Sequence, residues 1–257
     1  MELGIKGRIA LVAGAGDGIG RASAIAYAKE GVHLALCART ESQLQEVANE
    51  ARSHGVKVFY RRVDATKLEE VTAMVEETRR ELGEIDILLN AIGGGCKVGP
   101  LMDVEDYHMA GGFDINVLTG HRLARAVVPG MQARKWGRIV LVSSTAGLQV
   151  SPAPANVNLE YGTAKAALIA LTKYASEHVA GDNVLINCIC PGPILTPRTW
   201  AGWPEEVVRA RLEMMPIKRL GRPDEVADLV LFLSSERCSF ITGTAIPIDG
   251  GMSRALP

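Results

Sequence analysis

Seven short apolar runs, at residues 9–12, 33–37, 57–63, 85–90, 138–142, 184–190 and 245–248, recur along the chain with longer helical patterns between them. The runs are nearly continuous rather than alternating, as the strands of a parallel sheet covered on both faces must be. The helical patterns fall at residues 19–29, 41–53, 67–82, 120–133 and 161–179. Strand and helix in turn imply right-handed crossovers, so the expected fold class is α/β: a doubly wound sheet of seven parallel strands with helices on both faces. At 257 residues the chain is long enough for a substantial core, and no Pro/Ser-rich linker, repeat or charge block divides it. A single domain over residues 1–257 is expected.

Charge and cysteine usage narrow the partners. The formal net charge is -1, which gives no electrostatic case for nucleic acid or an anionic membrane. No apolar run approaches the roughly 18 residues that a bilayer span needs. The opening residues 1–8 lack the apolar stretch of a signal peptide. The five cysteines, Cys37, Cys96, Cys188, Cys190 and Cys238, are odd in number and sit mostly in apolar segments. Reduced, buried thiols and a cytoplasmic location are expected. Cys188 and Cys190 are expected to point to opposite faces of a strand, a poor geometry for one metal or one disulfide, and no metal is called for.

Gly14-Ala15-Gly16-Asp17-Gly18-Ile19-Gly20 follows the first strand and opens the first helix. A helix N-terminus offers free N–H groups and the positive end of its dipole to a pyrophosphate, so this placement marks a dinucleotide site of Rossmann type. Gly14 permits the tight turn, Gly18 lets phosphate approach the backbone, and Gly20 lets the helix pack on the sheet. The spacing is not that of a P-loop, since no Gly-Lys-Ser/Thr follows. At the end of the second strand an acid would accept the ribose 2′-OH, whereas an arginine favours a 2′-phosphate. The chain has Arg39 there and no acid. Its guanidinium can offer bidentate donors, so NADP(H) is favoured over NAD(H), with Asp17 in the glycine loop counting the other way.

Tyr161 and Lys165 are spaced i, i+4, on one face of a helix. A phenol beside an ammonium is a usable proton donor and acceptor near neutral pH. A free phenol titrates near ~10, so working at pH 7–8 requires about 3–4 kcal/mol of differential stabilisation. An ammonium ~4–5 Å away supplies roughly 1 kcal/mol in bulk water but ~3–4 kcal/mol at an effective dielectric of about 20. The pair therefore needs a partly desolvated site.

Other residues fall in order around this pair. Asp64 and Ala65 follow the third strand, Asn90-Ala91-Ile92-Gly93 the fourth, and Ser144 the fifth. Asn116 lies before the long helical pattern at 120–133, and Pro191-Gly192-Pro193-Ile194-Leu195-Thr196 follows the sixth strand. Together with the glycine loop, Tyr161 and Lys165, they resemble the classical short-chain dehydrogenase/reductase family over essentially the whole chain, and within it the β-ketoacyl reductase-like members. The resemblance implies a catalytic set of Asn116, Ser144, Tyr161 and Lys165. Tyr161 is then the acid/base, Ser144 the donor to the carbonyl oxygen, and Asn116 the holder of a relay water. It implies a cofactor site made of Gly14, Gly16, Asp17, Gly18, Ile19, Gly20, Arg39, Asp64, Ala65, Asn90, Gly93, Tyr161, Lys165, Pro191, Gly192, Ile194 and Thr196. It also implies a homotetramer and a substrate lid at about residues 196–215.

The resemblance leaves the substrate open. The interval from Ser144 to Tyr161 is longer than usual, with Pro152, Pro154, Asn156 and Asn158 expected to reshape the cleft. Asp182 stands where acyl-carrier-protein reductases tend to carry a basic residue. Arg134, Lys135 and Arg138 are the remaining basic cluster, read first as solvated charge and second as a carrier contact. Trp200, Trp203, Met214 and Met215 suit a hydrophobic or mixed substrate. The leading expectation is an NADP(H)-dependent oxidoreductase acting on a small ketone or secondary alcohol. The alternatives are an isomerase or dehydratase/lyase of the same fold using Tyr161, or a non-catalytic nucleotide sensor. Replacing Arg39 by Asp is expected to shift preference towards NAD(H); comparing kcat/KM for the two coenzymes checks it.

Overall fold

The strands are β1 (Ile9–Ala13), β2 (His33–Ala38), β3 (Val58–Arg62), β4 (Ile87–Asn90), β5 (Gly137–Val142), β6 (Val184–Pro191) and β7 (Ala245–Ile248). They form one seven-stranded parallel sheet, as the sequence predicts, and its order is β3-β2-β1-β4-β5-β6-β7. The computed structural model describes residues 2–95, 99–150, 158–197 and 204–254, apart from the side chains of Arg211 and Met214.

Eight α-helices are described: α1 (Gly18–Lys29), α2 (Glu41–Arg52), α3 (Leu68–Glu81), α4 (Asp106–Phe113), α5 (Thr119–Ala133), α6 (Leu159–Val179), α7 (Glu205–Met214) and α8 (Pro223–Leu233).

The strand periodicity of two divides the core. Ala10, Val12, Leu34, Leu36, Ile87, Leu89, Val140, Val142 and Ile189 face a layer that includes residues of α1, α2 and α8. Ile9, Leu11, Ala13, Ala35, Leu88, Ile139, Leu141, Val184 and Ile186 face a layer that includes residues of α3, α5 and α6. Both faces are therefore dry, and burying each Leu or Ile side chain contributes about 1.5–3 kcal/mol. The sheet ends in two strands that resist further pairing. β7 carries Pro247, which has no N–H to offer, and β3 carries Arg61 and Arg62.

Three helices were absent from the predicted set. α4, with sequence DYHMAGGF, contains two glycines, which weaken helix propensity. α7 occupies part of the 196–215 segment that the broken pattern marks as loop-rich. Trp200 and Trp203 lie outside the described residues, as do Arg198, Cys96, Pro152, Pro154 and Asn156. Met215 is buried. α8 begins with Pro223 at its first turn and Asp224 and Glu225 beside it, which is a legible start signal.

Two further expectations are corrected. Residues i and i+2 of a strand share a face, so Cys188 and Cys190 point the same way and hydrogen-bond one another. That bond and burial hold the Cys190 thiol well above its ordinary range. Burial likewise pushes Cys37 up to about 12. Cys37, Cys188, Cys190 and Cys238 are all free and buried. Arg138 is not solvated charge either. It is 1% exposed on β5, donating to the carbonyls of Ser235, Gly137 and Asn183 and lying over Trp136. Arg134 pairs with Glu84 and Asp86, and Lys135 with Asp182, so this cluster is committed internally.

The segment after β6 is braced from outside. Gly221 accepts from Leu195 N–H at 2.8 Å and donates to the Pro193 carbonyl at 3.0 Å. The turn that presents Gly221 is clamped by Glu225, which takes both ends of the Arg219 guanidinium at 2.8 and 2.7 Å and the Arg222 N–H at 2.8 Å. The Arg219 bond, followed by that of Arg222, lowers the Glu225 carboxyl to about 2. A depressed carboxylate contributes its stability fully above the free value of 4.5 and loses it as pH falls through about 2. Glu225→Gln is expected to lower Tm at neutral pH, with the gap to wild type closing through that window; calorimetry across the acid range checks it.

Candidate active site

All seven strands point their carboxyl ends at one edge, and the loops that leave them there enclose a cavity of about 940 Å³. β1 feeds the glycine loop into α1. Asp17 precedes α1 in extended conformation and makes no side-chain cap bond, and the start of a helix placed at a cavity wall favours an anion. Gly14 has φ +83°, and a Cβ there would stand 3.0 Å from the Ala91 backbone. A Cβ at Gly20 would collide with the Gly14 carbonyl oxygen. The loop is thus as close to its neighbours as backbone can be, and Gly14, Gly16, Asp17, Gly18, Ile19 and Gly20 all line the cavity.

The far end of the cavity is walled by Arg39 and Thr40 from the β2–α2 turn, by Gln43 of α2 and by Asp64 and Ala65 after β3. Asp64 accepts from the Thr66 hydroxyl at 2.7 Å and its N–H at 3.1 Å. Chiefly through that hydroxyl, with Lys67 and Arg39 adding charge, its carboxyl is lowered below the ordinary range. Pro191, Gly192, Ile194 and Thr196 line the opposite side. Asn90 is placed otherwise. It is fully buried, accepts the Ile92 N–H at 3.2 Å, and does not itself line the cavity. Its described contact shapes the turn that brings Gly93 to the wall.

Ser144, Tyr161 and Lys165 meet where β5 ends against α6. Ser144 caps the short turn Thr145–Gly147, its Oγ accepting from Ala146 N–H at 3.1 Å. Lys165 is 2% exposed, and its ammonium donates to the Val142 carbonyl at 2.8 Å. The ammonium lies 5.5 Å from the centre of the Tyr161 ring. The desolvation that the phenol–ammonium argument demands is therefore present around the cation. Two further contacts pin the helix. Ser143 Oγ donates to the Lys165 carbonyl at 2.8 Å, and a Cβ at Gly147 would stand 2.6 Å from the Lys165 backbone.

Asn116 sits in a short π-helical turn, Asp114–Leu118, between α4 and α5. Such turns free backbone groups and recur at functional sites. Its amide nitrogen donates to the carbonyls of Gly112 at 2.9 Å and Gly94 at 2.8 Å, and its oxygen accepts the Gly94 N–H at 3.1 Å. The side chain thus clips residue 94 from both sides and does not line the cavity. Gly93, which does, lies against both groups: a Cβ there would stand 2.7 Å from Lys165 Nζ and 2.9 Å from Asn116 Oδ1.

One position carries more than sequence reasoning gave it. Asn158 caps α6, its Oδ1 accepting the Tyr161 N–H at 3.1 Å, and it lines the cavity. An Asn just before an amphipathic pattern with Glu160 in the first turn was the available signal. Gln43, which approaches Gly16, and Gln149, which accepts from Arg254 N–H at 3.0 Å, had none. Among the described residues no cluster of metal-ligating side chains occurs, and no helix is long and apolar enough to cross a membrane.

Comparison with known proteins bears on this geometry. The profile of a family described as enoyl-(acyl carrier protein) reductase matches residues 14–253. The chain is 32% identical over 248 residues to the 3-oxoacyl-[acyl-carrier-protein] reductase FabG of Thermotoga maritima, covering 96% of this chain and 98% of that protein. Among solved structures, L-sorbose reductase from Gluconobacter frateurii, complexed with NADPH and L-sorbose, is 35% identical with a TM-score of 0.91, each chain covered completely. A 7α-hydroxysteroid dehydrogenase complexed with NADH and 7-oxo glycochenodeoxycholic acid is 30% identical with a TM-score of 0.92, covering 100% of this chain and 98% of that one.

Gly93→Ala tests the packing of the cluster. A methyl there must displace an ammonium already held by Val142 or an amide already held by residues 94 and 112. Turnover is expected to fall about 10–100-fold with the fold retained. Steady-state kinetics beside a thermal melt check it.

Proposed function

Since the chain belongs to the short-chain dehydrogenase/reductase family, we propose that Ser144, Tyr161, Lys165 and Asn116 serve the interconversion of a ketone and a secondary alcohol with NADP(H) as coenzyme. The observation that carries this reading is the opening of the glycine loop, Arg39, Ser144, Tyr161 and Lys165 onto one cavity. The residues present fit a dinucleotide. The glycines of the loop carry no side chain to hold a pyrophosphate away from the start of α1, Asp17 makes no side-chain cap bond there, and Arg39 lies in the cavity wall with positive charge for the adenosine end. Gly14, Gly16, Asp17, Gly18, Ile19 and Gly20 would hold the pyrophosphate, and Arg39, Asp64 and Ala65 the adenosine. Gly93, Lys165, Pro191, Gly192, Ile194 and Thr196 would hold the nicotinamide half.

NADPH, when bound, supplies the hydride that reduces the carbonyl carbon. Tyr161 gives its phenolic proton to the carbonyl oxygen as negative charge grows there, and Ser144 donates a hydrogen bond to the same oxygen. The buried Lys165 ammonium stabilises the phenolate left behind, acting through protein rather than water. Asn116 contributes by holding residue 94, and so the neighbouring Gly93, against Lys165. In the oxidative direction the same groups run in reverse.

The substrate end of the cavity presents Leu148, Val150 and Met252 beside Gln149 and Asn158, a mixed surface suited to a partly apolar ketone. The relatives' substrates differ widely, a ketose in one and an oxo-steroid in another, and share only the ketone. A carrier protein has less support, because Arg134, Lys135 and Arg138 are engaged within the fold. We also read the whole chain as one catalytic domain, residues 196–215 as a lid over the substrate, the assembly as a homotetramer and the location as cytoplasmic. The test is NADPH oxidation, followed near 340 nm, with ketones spanning sugars, oxo-steroids and 3-oxoacyl thioesters. Tyr161→Phe is expected to lower turnover by roughly 10²–10⁴-fold while NADPH binding is retained. Substantial turnover in that variant would remove Tyr161 as the acid/base.

A further inference from the structure

We infer that Arg62 is a second determinant of NADP(H) selection, a positioning residue that fixes the Arg39 turn and adds its own charge behind it; this rests on the NADP(H) reading above. Arg62 ends β3 and pairs in register with Ala38, the last residue of β2, so it stands beside the peptide that begins the Arg39 turn. Its Nε donates to the Arg39 carbonyl at 3.2 Å. That bond fixes the residue whose side chain must reach a 2′-phosphate, and Arg39 lies in the cavity wall while Arg62 stands behind it.

Charge makes the arrangement specific. Among the described residues, neither Arg39 nor Arg62 has a carboxylate within ion-pair distance, whereas the adjacent Arg61 is paired with Glu77. Two exposed arginines, one ending β3 and the other just past the end of the paired strand β2, make the local potential positive, and an anion placed there is favoured. Asp64, a carboxylate on the cavity wall, feels the field of Arg39 but is engaged by Thr66 and Lys67. The coenzyme that this positive charge favours is the one with a phosphate on its adenosine ribose. Arg62 thus favours NADPH over NADH without touching the part that the two share.

The test measures dissociation constants for NADPH and for NADH, by fluorescence titration, in wild type, Arg62→Ala, Arg62→Lys and Arg39→Ala. Arg62→Ala is expected to weaken NADPH about fivefold and leave NADH within about twofold, with a shallower salt dependence for NADPH. Arg62→Lys is expected to recover part of the loss, since it keeps the charge but not the planar donor. Equal weakening of both coenzymes in Arg62→Ala would mean that Arg62 merely braces the turn, and unchanged NADPH affinity would mean that it does nothing here; either overturns the inference. Arg39→Ala separates the two levels. If it leaves the NADPH-to-NADH ratio unaltered, the NADP(H) reading itself fails. If it collapses the ratio while Arg62→Ala does not, only the inference about Arg62 fails.

Discussion

A parallel sheet cannot leave either face in water, because its crossovers put a helix over each pair of strands and its strands are apolar on both sides. That constraint decides where this molecule can do chemistry. With both faces sealed, polar functional groups are confined to the rims, and parallel strands bring every carboxyl end to the same rim. The glycine loop, the Arg39 turn, Asp64, Gly93, Ser144 and the 191–196 segment are consecutive exits from that rim, in the order in which the strands are made. Tyr161 and Lys165 come instead from α6, which is locked to the end of β5 by Val142, Ser143 and Gly147.

The proposed chemistry depends on a cation in a nearly dry place. An ammonium that is 2% exposed would be costly without a partner, and the Val142 carbonyl provides one. The same dryness lets its field reach the Tyr161 ring with little screening. Site and core therefore share one device. The strand end that anchors α6 also sets the position of the charge that α6 carries.

Most of the sheet was legible because a buried parallel strand has a strong signature. Residues 9–12, 184–190 and 245–248 announce themselves by composition alone, and the observed strands differ by a residue or two. The glycine loop, Ser144, Tyr161 and Lys165 were legible because their spacing reports helix and strand ends. What stayed hidden depends on tertiary partners. Arg138 reads as surface charge until carbonyls from three segments converge on it. The double grip of Asn116 on residue 94 needs a π-helical turn that no local pattern marks. α4 is a helix despite Gly111 and Gly112, and Gly112 is needed where the Glu160 carboxylate packs against it. The cysteine pair was misjudged for a simpler reason, since a period of two places Cys188 and Cys190 on one side.

The strand order also dictates a schedule. β1, β2 and β3 are contiguous in the chain and adjacent in space, so β2 and β3 have all their pairing partners within the first 62 residues. β1 is then left with one open edge, which only β4 closes, more than seventy residues after β1 ends. Each later strand adds outward from β4 to β7. On a ribosome, where chains emerge at roughly 5–20 residues per second, the first three strands are exposed for several seconds with a bare central edge. The molecule's most vulnerable moment thus falls within the first third of its own synthesis, when the glycine loop is complete and β4 to β7 have yet to arrive.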